Sequence, residues 1–378
     1  MRRLNIYIHQ QPGWPEFKWS DDEILPLLIE VRNLQGRVIG KMGTLGFELR
    51  NQANLEILTQ DVLKSTEIEG ELLNPEQVRS SIARRLGLDV PDLIASDRNV
   101  DGVVEMMLDA TENFDKPLTK ERLFGWHSAL FPSGYGGIYK IIVGKWRDDS
   151  TGPMQVVSGP MGKEKIHYQA PGAHLLNEQI TVFLDWLNDT KQLDMVLKAA
   201  IVHLWFVTLH PFEDGNGRIA RTITDMFLAR SDNQSIRFYS MSAQIKKERN
   251  KYYKTLEKTQ KGDLDITGWI VWFLNCLLNA LKSSETLLSK VIFKHYFWSK
   301  NALRLENERQ KKVLTMLLDG FKGKLTTTKW AKICKCSQDT ALRDIRDLIE
   351  KKILYKLPGG GRSTAYNIIR KSGDSPRH

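Results

Sequence analysis

The sequence predicts a mainly α-helical protein with one small β-hairpin and a separate basic domain at the C-terminal end. Leu, Ile and Val recur at three- and four-residue spacings over 22–40 and 44–66, which is the pattern of two amphipathic helices. Seven glycines between Gly134 and Pro171 interrupt short β-prone segments. The net charge of +10 is uneven, because residues 300–378 hold 19 Lys and Arg against 8 Asp and Glu. Only this C-terminal part has the charge expected of a nucleic-acid partner.

Helical patterns account for most of residues 1–299. Asn74, followed by Pro75 and by Gln77 at the third position after the cap, predicts a helix from there to about residue 85. Thr119 is expected to cap a helix that ends near residue 131. The segment AAIVHLWFV within 194–208 is apolar on nearly every side, which indicates a helix in the middle of a bundle. Further helices are predicted at 100–113, from about 175, and at 217–230, 242–260 and 263–298.

The β-hairpin is predicted at 154–169. The β-prone runs Met154–Val157 and Lys165–Tyr168 flank the turn segment Ser158-Gly159-Pro160-Met161-Gly162. Two such runs joined by a Gly- and Pro-containing segment are typical of a hairpin with a long turn.

The C-terminal domain is predicted to be a winged helix-turn-helix. Helices at 306–319, 326–333 and 337–351 precede a Gly-rich hairpin at 353–369, which is the element order of that motif. The third helix would carry Thr340, Arg343 and Arg346, and Lys356 and Arg362 would flank the wing glycines 359–361. Such a surface suits DNA. Docking of a protein or contact within a dimer remains an open alternative.

The composition argues against membrane and disulfide-rich classes. No stretch approaches the roughly 20 consecutive apolar residues of a membrane-spanning helix. The start, MRRLNIYIHQQPGWPEF, has neither the apolar run nor the cleavage site of a signal peptide. The three cysteines are too few for a disulfide framework and lack the second pair of a zinc site. We therefore expect a cytoplasmic protein.

A polar, glycine-rich segment follows the buried helix: His210-Pro211-Phe212-Glu213-Asp214-Gly215-Asn216-Gly217-Arg218-Ile219-Ala220-Arg221. It is interpreted as a loop entering a helix, where glycines let a ligand approach and unsatisfied N–H groups with the helix dipole attract an anion. Arg218 and Arg221 are three residues apart, which places both guanidinium groups on one face beside a phosphate. Asp214 would need a divalent cation beside phosphate. His210 is suited to take a proton from a nucleophile.

Each of these residues has an ordinary structural explanation when taken alone, but the combination does not. The segment resembles the Fic family signature, His-x-Phe-x-(Asp/Glu)-Gly-Asn-Gly-Arg-x-x-Arg, and matches all eight defined positions. The resemblance implies a Fic-type helical bundle in which the 154–169 hairpin is a flap that holds a target protein by strand addition. It also implies a protein adenylyltransferase, which moves AMP from ATP onto a Ser, Thr or Tyr hydroxyl.

The same resemblance assigns roles to individual residues. His210 would be the base, and Asp214 would hold Mg²⁺ against the phosphates of ATP. Gly215, Asn216 and Gly217 would form an anion hole, and Arg218 and Arg221 would neutralise the β- and γ-phosphates. Tyr252 and Tyr253 resemble an aromatic pair near the adenine, although ordinary helix packing explains them equally well.

An inhibitory motif is expected upstream. Ser65-Thr66-Glu67-Ile68-Glu69-Gly70 resembles the family pattern (Ser/Thr)-x-x-x-Glu-(Gly/Asn). The resemblance implies that Glu69 pairs with Arg221 and displaces the γ-phosphate. The alternative is a solvated acidic turn made by Glu67, Glu69 and Glu71.

The predicted organisation is an N-terminal helical extension (1–96), a Fic catalytic core (97–300) and a winged helix-turn-helix domain (301–378). The predicted function is autoinhibited AMP transfer to a protein or to itself, with ATP and Mg²⁺, in a protein expected to form a homodimer. Three alternatives stay open: a DNA-binding regulator whose Fic core is a sensor, removal of AMP, and the use of another nucleotide or transfer of a phosphate.

Overall fold

The computed structural model of the chain describes residues 7–43, 45–90, 92–150, 152–160, 162–189, 193–305, 307–318, 320–321, 323–358 and 364–369. These residues form two compact units, 1–285 and 286–378. The division of the first unit at residue 96 stays a prediction.

Most of the predicted helices of the first unit are present. Asn74 caps its helix by accepting hydrogen bonds from the backbone N–H groups of Glu76 and Gln77 at 2.9 and 3.2 Å. The helices are α1 (Asp21–Gly43), α2 (Phe47–Ile68), α3 (Pro75–Arg85), α4 (Arg98–Glu112), α5 (Lys120–Leu130), α6 (Leu176–Asn188), α7 (Met195–Leu209), α8 (Asn216–Asp232), α9 (Met241–Lys247), α10 (Arg249–Gln260) and α11 (Thr267–Asn301), whose last part belongs to the second unit.

The central helix is α7, as its composition predicts. All residues from Val196 to Leu209 are buried. Helix α7 packs against α6 and α8. Because only six residues, 210–215, separate α7 from α8, the loop between them is anchored at both ends by buried helices.

Two antiparallel hairpins accompany the bundle. The predicted one pairs β3 (Gln155–Ser158) with β4 (Lys165–Gln169), with a bulge after Val156. The other, β1 (Tyr135–Gly136) with β2 (Tyr139–Lys140), was not predicted, since its strands are only two residues long.

The prediction of one helix over 242–260 is wrong. Glu248 has φ −106° and ψ 23°, so its backbone leaves the helical conformation and separates α9 from α10. No glycine or proline marks this break in the sequence.

Helix α2 is fastened to the core by a buried ionic cluster. Arg237 donates to the carboxylate of Asp61 on α2 at 2.7 Å and to that of Asp225 on α8 at 2.5 Å. All three side chains are at most 2% exposed. The Ser240 hydroxyl donates to the second oxygen of Asp61. The cluster therefore joins α2 to α8 two turns before α2 ends.

The second unit has the element order of a winged helix. It contains α12 (Glu308–Leu318), β5 (Leu325–Thr326), α13 (Thr327–Cys334), α14 (Gln338–Glu350), β6 (Leu354–Lys356) and β7 (Ala365–Ile368), with β7 between β5 and β6 in one antiparallel sheet. Strand β5 was not predicted. The core of the second unit includes Trp330, Ile345 and Leu348. Arg343 and Arg346 are exposed on α14, whereas the predicted wing residues 359–362 lie outside the described residues. DNA binding by this unit stays a prediction.

Within the described ranges, the structure contains no helix with the length and apolar character needed to cross a membrane.

Replacing Arg237 should destabilise the first unit strongly. Arg237→Met leaves two buried carboxylates without a cation, which costs about 3–5 kcal/mol in the free energy of unfolding. Urea denaturation followed by fluorescence measures the change. Arg37, whose side chain is 59% exposed beside Glu285, provides a control, since Arg37→Met should cost less than about 1 kcal/mol. A similar small loss for Arg237→Met would contradict the role of the cluster.

Candidate functional site

The loop between α7 and α8 is shaped by its own side chains. His210 ends α7 in the left-handed conformation, with φ 48°. The side-chain amide of Asn216 donates to the carbonyl of Phe212 at 2.7 Å and accepts from its N–H at 2.9 Å. Phe212 is fully buried. The Asn216 side chain thus closes the loop. The backbone N–H of Asn216 lies at the N-terminus of α8.

His210 presents a neutral imidazole to the site. Its Nδ1 lies 3.3 Å from the carbonyl of Val207, which can only accept, so Nδ1 carries the proton and Nε2 has a free lone pair. Burial lowers the pKa of His210 to about 4, and the charge of Arg147 acts in the same direction. The side chain is therefore a base at neutral pH.

Arg147 fixes the backbone at His210, and sequence reasoning missed it. Its Nε donates to the carbonyl of His210 at 2.8 Å, and its Nη2 donates to the carbonyl of Pro171 at 2.5 Å. Its Nη1 pairs with Asp149 at 2.9 Å. The side chain links the loop to the chain that leaves β4. No local pattern around Lys145-Trp146-Arg147 signals this role.

His127 supports the same loop from α5 and was also missed. Its ring stacks on Phe212, with centroids 4.1 Å apart. The N–H of Gly144 donates to Nδ1 at 3.1 Å, so Nε2 carries the proton and donates to the carbonyl of Asp214 at 3.2 Å. Burial lowers the pKa of His127 to about 4. His127 lies 87 residues before Asp214 in sequence, hence only the fold reveals the pair.

The N-terminus of α8 requires its glycines. Gly215 has φ 81°, and a Cβ there would lie 2.9 Å from the Phe131 ring. A Cβ on Gly217 would lie 2.1 Å from Oε1 of Glu69. Asp214, whose side chain is 46% exposed, lies at the mouth of the loop. The Glu69 carboxylate therefore occupies the position where a helix N-terminus attracts an anion.

The two arginines of the motif are buried and only partly satisfied. Arg218 is 3% and Arg221 is 2% exposed. Within the part of the chain that the structure describes, Nε of Arg218 and Nη1 of Arg221 have no hydrogen-bond partner. Leaving a buried guanidinium donor unsatisfied is costly, so these atoms mark a place for further acceptors.

Acidic residues from the end of α2 engage both arginines. Oε1 of Glu69 lies 2.8 Å from Nη2 of Arg221, and Oε2 of Glu71 lies 2.7 Å from Nη1 of Arg218. Burial alone would raise the pKa of Glu69, but Arg221 and Arg218 outweigh it and hold that pKa below its ordinary value. Arg221 also donates to the carbonyl and hydroxyl of Ser65. The expected Glu69–Arg221 pair is present, while the Glu69 and Glu71 side chains remain 31% and 45% exposed.

The Glu69 carboxylate borders a cavity of about 640 Å³ between the α7–α8 loop and the β3–β4 hairpin. This volume falls in the range of about 300–1,000 Å³ typical of ligand pockets. Among the predicted site residues, its lining includes Glu69, His210, Gly217, Tyr252 and Tyr253.

The two tyrosines differ in how much they are available. Tyr252 is 2% exposed, and its hydroxyl lies 3.0 Å from Nε2 of buried His203. Tyr253 is half-buried, with the guanidinium of Arg249 over its ring. Tyr252 thus packs mainly between helices, although it also lines the cavity. The ring of Tyr253 is more accessible to a ligand in the cavity.

The fold and site together define a helical bundle in which a neutral histidine lies beside an anion-binding helix N-terminus. Residues 117–228 match the model of the Fic/DOC family, and residues 7–88 match a "Domain of unknown function (DUF4172)". The segment that matches the Fic/DOC family model contains the α7–α8 loop.

Solved structures share the fold at low sequence identity. A Fic family protein from Desulfovibrio desulfuricans G20 aligns with a TM-score of 0.54 and 18% identity, covering 96% of this chain and 99% of that chain. A Fic domain containing signaling protein from Bacteroides thetaiotaomicron VPI-5482 aligns with a TM-score of 0.50 and 22% identity, covering 71% and 96% respectively.

Curated relatives are named protein adenylyltransferases. Protein adenylyltransferase fic-1 of Caenorhabditis briggsae is 38% identical over 89 residues, which is 23% of this chain and 16% of the relative. Protein adenylyltransferase Fic of Nematostella vectensis is 24% identical over 266 residues, 68% of this chain and 55% of the relative. The chain spans about half or less of the length of these two relatives.

The protonation state of His210 can be measured directly. Because burial disfavours the cation, the ring should stay neutral as pH falls through 6.5 and become protonated only near pH 4. The Cε1–H resonance in an NMR titration reports this, and its absence from the spectrum of His210→Gln identifies it. A midpoint near 6.5 would contradict the assigned environment.

Proposed function

We propose that this protein transfers AMP from ATP to a hydroxyl of a protein, and that Glu69 restrains the reaction. The observation that carries the proposal is the meeting of the neutral His210 with the N-terminus of α8 and two incompletely satisfied arginines. Such an arrangement supplies a base and electrostatic stabilisation for in-line displacement at phosphorus.

The residues present suit a triphosphate. The unpartnered donors of Arg218 and Arg221 belong to the first two turns of α8, and the backbone N–H groups of Asn216 and Gly217 at its N-terminus attract anions. The described residues contain no group of three or more His, Cys, Asp or Glu side chains able to hold a metal ion. Asp214 is therefore proposed as the single protein ligand of an Mg²⁺ ion. The ion would arrive with ATP and take its other ligands from phosphate and water.

His210 is the proposed base. Its Nε2 takes the proton of the acceptor hydroxyl, whose oxygen attacks the α-phosphorus of ATP. The bond from that phosphorus to the oxygen shared with the β-phosphate breaks, and pyrophosphate leaves. Arg147 keeps the His210 backbone in place through the 2.8 Å hydrogen bond from its Nε. Positioning of this kind supplies much of the rate enhancement in such reactions.

The acceptor segment is proposed to dock on the β3–β4 hairpin. This two-stranded sheet has free backbone edges, and its residues Val157 and Ile166 are 47% and 44% exposed. An extended segment of a target protein can pair with such an edge. Its hydroxyl would then reach the cavity that His210 borders.

Glu69 restrains transfer by occupying the place of the γ-phosphate. Its carboxylate pairs with Arg221 and contacts Gly217, so ATP and Glu69 compete for the same donors. Arg221, Lys246 and Arg249 hold this end of α2, since Arg221 donates to Ser65, Lys246 to the carbonyl of Glu67 and Arg249 to that of Ile68. Moving Glu69 away therefore requires α2 to shift or its last turn to open.

Removing the carboxylate should release the activity. With α-³²P-labelled ATP and Mg²⁺, Glu69→Gly should attach at least about tenfold more label to protein than wild type does. A factor of this size lies in the range that typical coupling free energies between two sites produce. Glu69→Gly combined with His210→Ala should attach almost none to lysate proteins, because the base for an external acceptor is absent.

Glu67→Gly is the matched control. Glu67 lies two residues away and pairs with Lys64 and Lys246, not with an arginine of the motif. Its replacement keeps the Glu69–Arg221 pair and should raise labelling far less than Glu69→Gly does. Absence of label from Glu69→Gly, with itself and a cell lysate as acceptors, would reject the transferase function.

A further inference from the structure

Three side chains at the β3–β4 hairpin form a chain of hydrogen bonds that the proposed transfer does not use. Oγ of Ser158 lies 2.6 Å from Nε2 of His167, and Nδ1 of His167 lies 2.8 Å from Oε2 of Glu257 on α10. A hydroxyl, an imidazole and a carboxylate in this order are the signature of an activated nucleophile.

The proton positions follow from the chemistry of the groups. An ionised carboxylate can only accept, so Nδ1 of a neutral His167 donates to Glu257 and Nε2 accepts from the Ser158 hydroxyl. The hydrogen bond from Lys261, followed by that from His167, lowers the pKa of Glu257 and keeps it ionised. Glu257 thus holds the tautomer in which His167 can take a proton from Ser158.

A β-bulge aims His167 toward both partners. Val156 pairs with Tyr168 and Val157 pairs with Ile166, which leaves His167 as the extra residue of β4. Bulges redirect a side chain away from the alternation of a regular strand. An ordinary cross-strand contact needs neither this irregularity nor a carboxylate supplied by a helix.

The Ser158–His167–Glu257 group borders the same cavity as His210, Gly217 and Glu69. A serine activated in this position shares a cavity with the nucleotide. We propose that Ser158 is an acceptor of AMP within the chain, activated by His167 and oriented through Glu257. This inference rests on the proposed function, because ATP bound at the α8 N-terminus supplies the AMP.

The step balances without a further reactant. Oγ of Ser158 forms a bond to the α-phosphorus of ATP, and its proton passes to Nε2 of His167. The bond between that phosphorus and the bridging oxygen to the β-phosphate breaks, and pyrophosphate leaves with the electron pair. The product is a phosphodiester between Ser158 and the 5′-oxygen of adenosine.

The test uses the full chain carrying Glu69→Gly, incubated with α-³²P-labelled ATP and Mg²⁺ and then mapped by peptide mass spectrometry. Label is expected on Ser158. Ser158→Ala should abolish label at that site, and Ser158→Thr, which keeps a hydroxyl, should restore part of it. Ser150→Ala, which removes an exposed hydroxyl from a nearby loop, should leave self-labelling unchanged.

A second variant tests activation rather than mere access. His167→Gln keeps a polar side chain but cannot take up the proton, so labelling of Ser158 should fall by about 100-fold, the scale of a lost general base. Calorimetric titration with ATP is the control for each variant and should show binding close to that of the Glu69→Gly parent.

The outcomes separate this inference from the proposed function. Label on other residues or on lysate proteins, with none on Ser158, overturns the inference and leaves the transferase intact. Label on Ser158 that is insensitive to His167→Gln overturns the activation by His167. Absence of label from every acceptor rejects both the inference and the transferase.

Discussion

The pairing of Glu69 with Arg221 is the interaction on which the rest of the site depends. A helix N-terminus with buried guanidinium groups attracts an anion whether or not a nucleotide is present. In this protein the chain supplies that anion itself, with Oε1 of Glu69 2.8 Å from Arg221 and pressed against Gly217. The same electrostatic arrangement that would hold phosphate therefore also holds the Glu69 carboxylate.

The proposed restraint would act through α2 as a whole. The upstream part of α2 is joined to α8 through the buried Asp61–Arg237–Asp225 cluster, and its end is held by donors from α8, α9 and α10. Breaking a buried ion pair from one side is costly. Release is therefore expected to involve the last turn of α2, where the Glu69 and Glu67 ion pairs are partly exposed, and to leave the fully buried Asp61 cluster intact.

Sequence reasoning succeeds where the determinants are local. Asn74 and Thr119 cap helices through their own side chains, and the continuous motif from His210 to Arg221 brings its chemistry together within one loop and one helix turn. The break at Glu248 was missed because no residue there is incompatible with a helix. Tertiary packing can override local helix propensity, and a linear pattern does not contain it.

The supporting residues of the site depend on contacts distant in sequence. Arg147 bonds to His210 across 63 residues and His127 bonds to Asp214 across 87. Neither residue lies in a sequence motif. Only the fold shows which backbone carbonyl each side chain bonds to. The Ser158–His167–Glu257 chain is hidden for a further reason: the bulge that aims His167 is a property of strand pairing, not of residue type.

The most direct test of the account is to measure whether Glu69 competes with the γ-phosphate. Isothermal titration calorimetry with ATP and with ADP, in the presence of Mg²⁺, compares His210→Ala with Glu69→Gly plus His210→Ala, so that no turnover occurs. The account predicts that removing Glu69 tightens binding of ATP at least about tenfold more than binding of ADP, a difference of roughly 1.4 kcal/mol. Equal effects on the two nucleotides, or none, would contradict it.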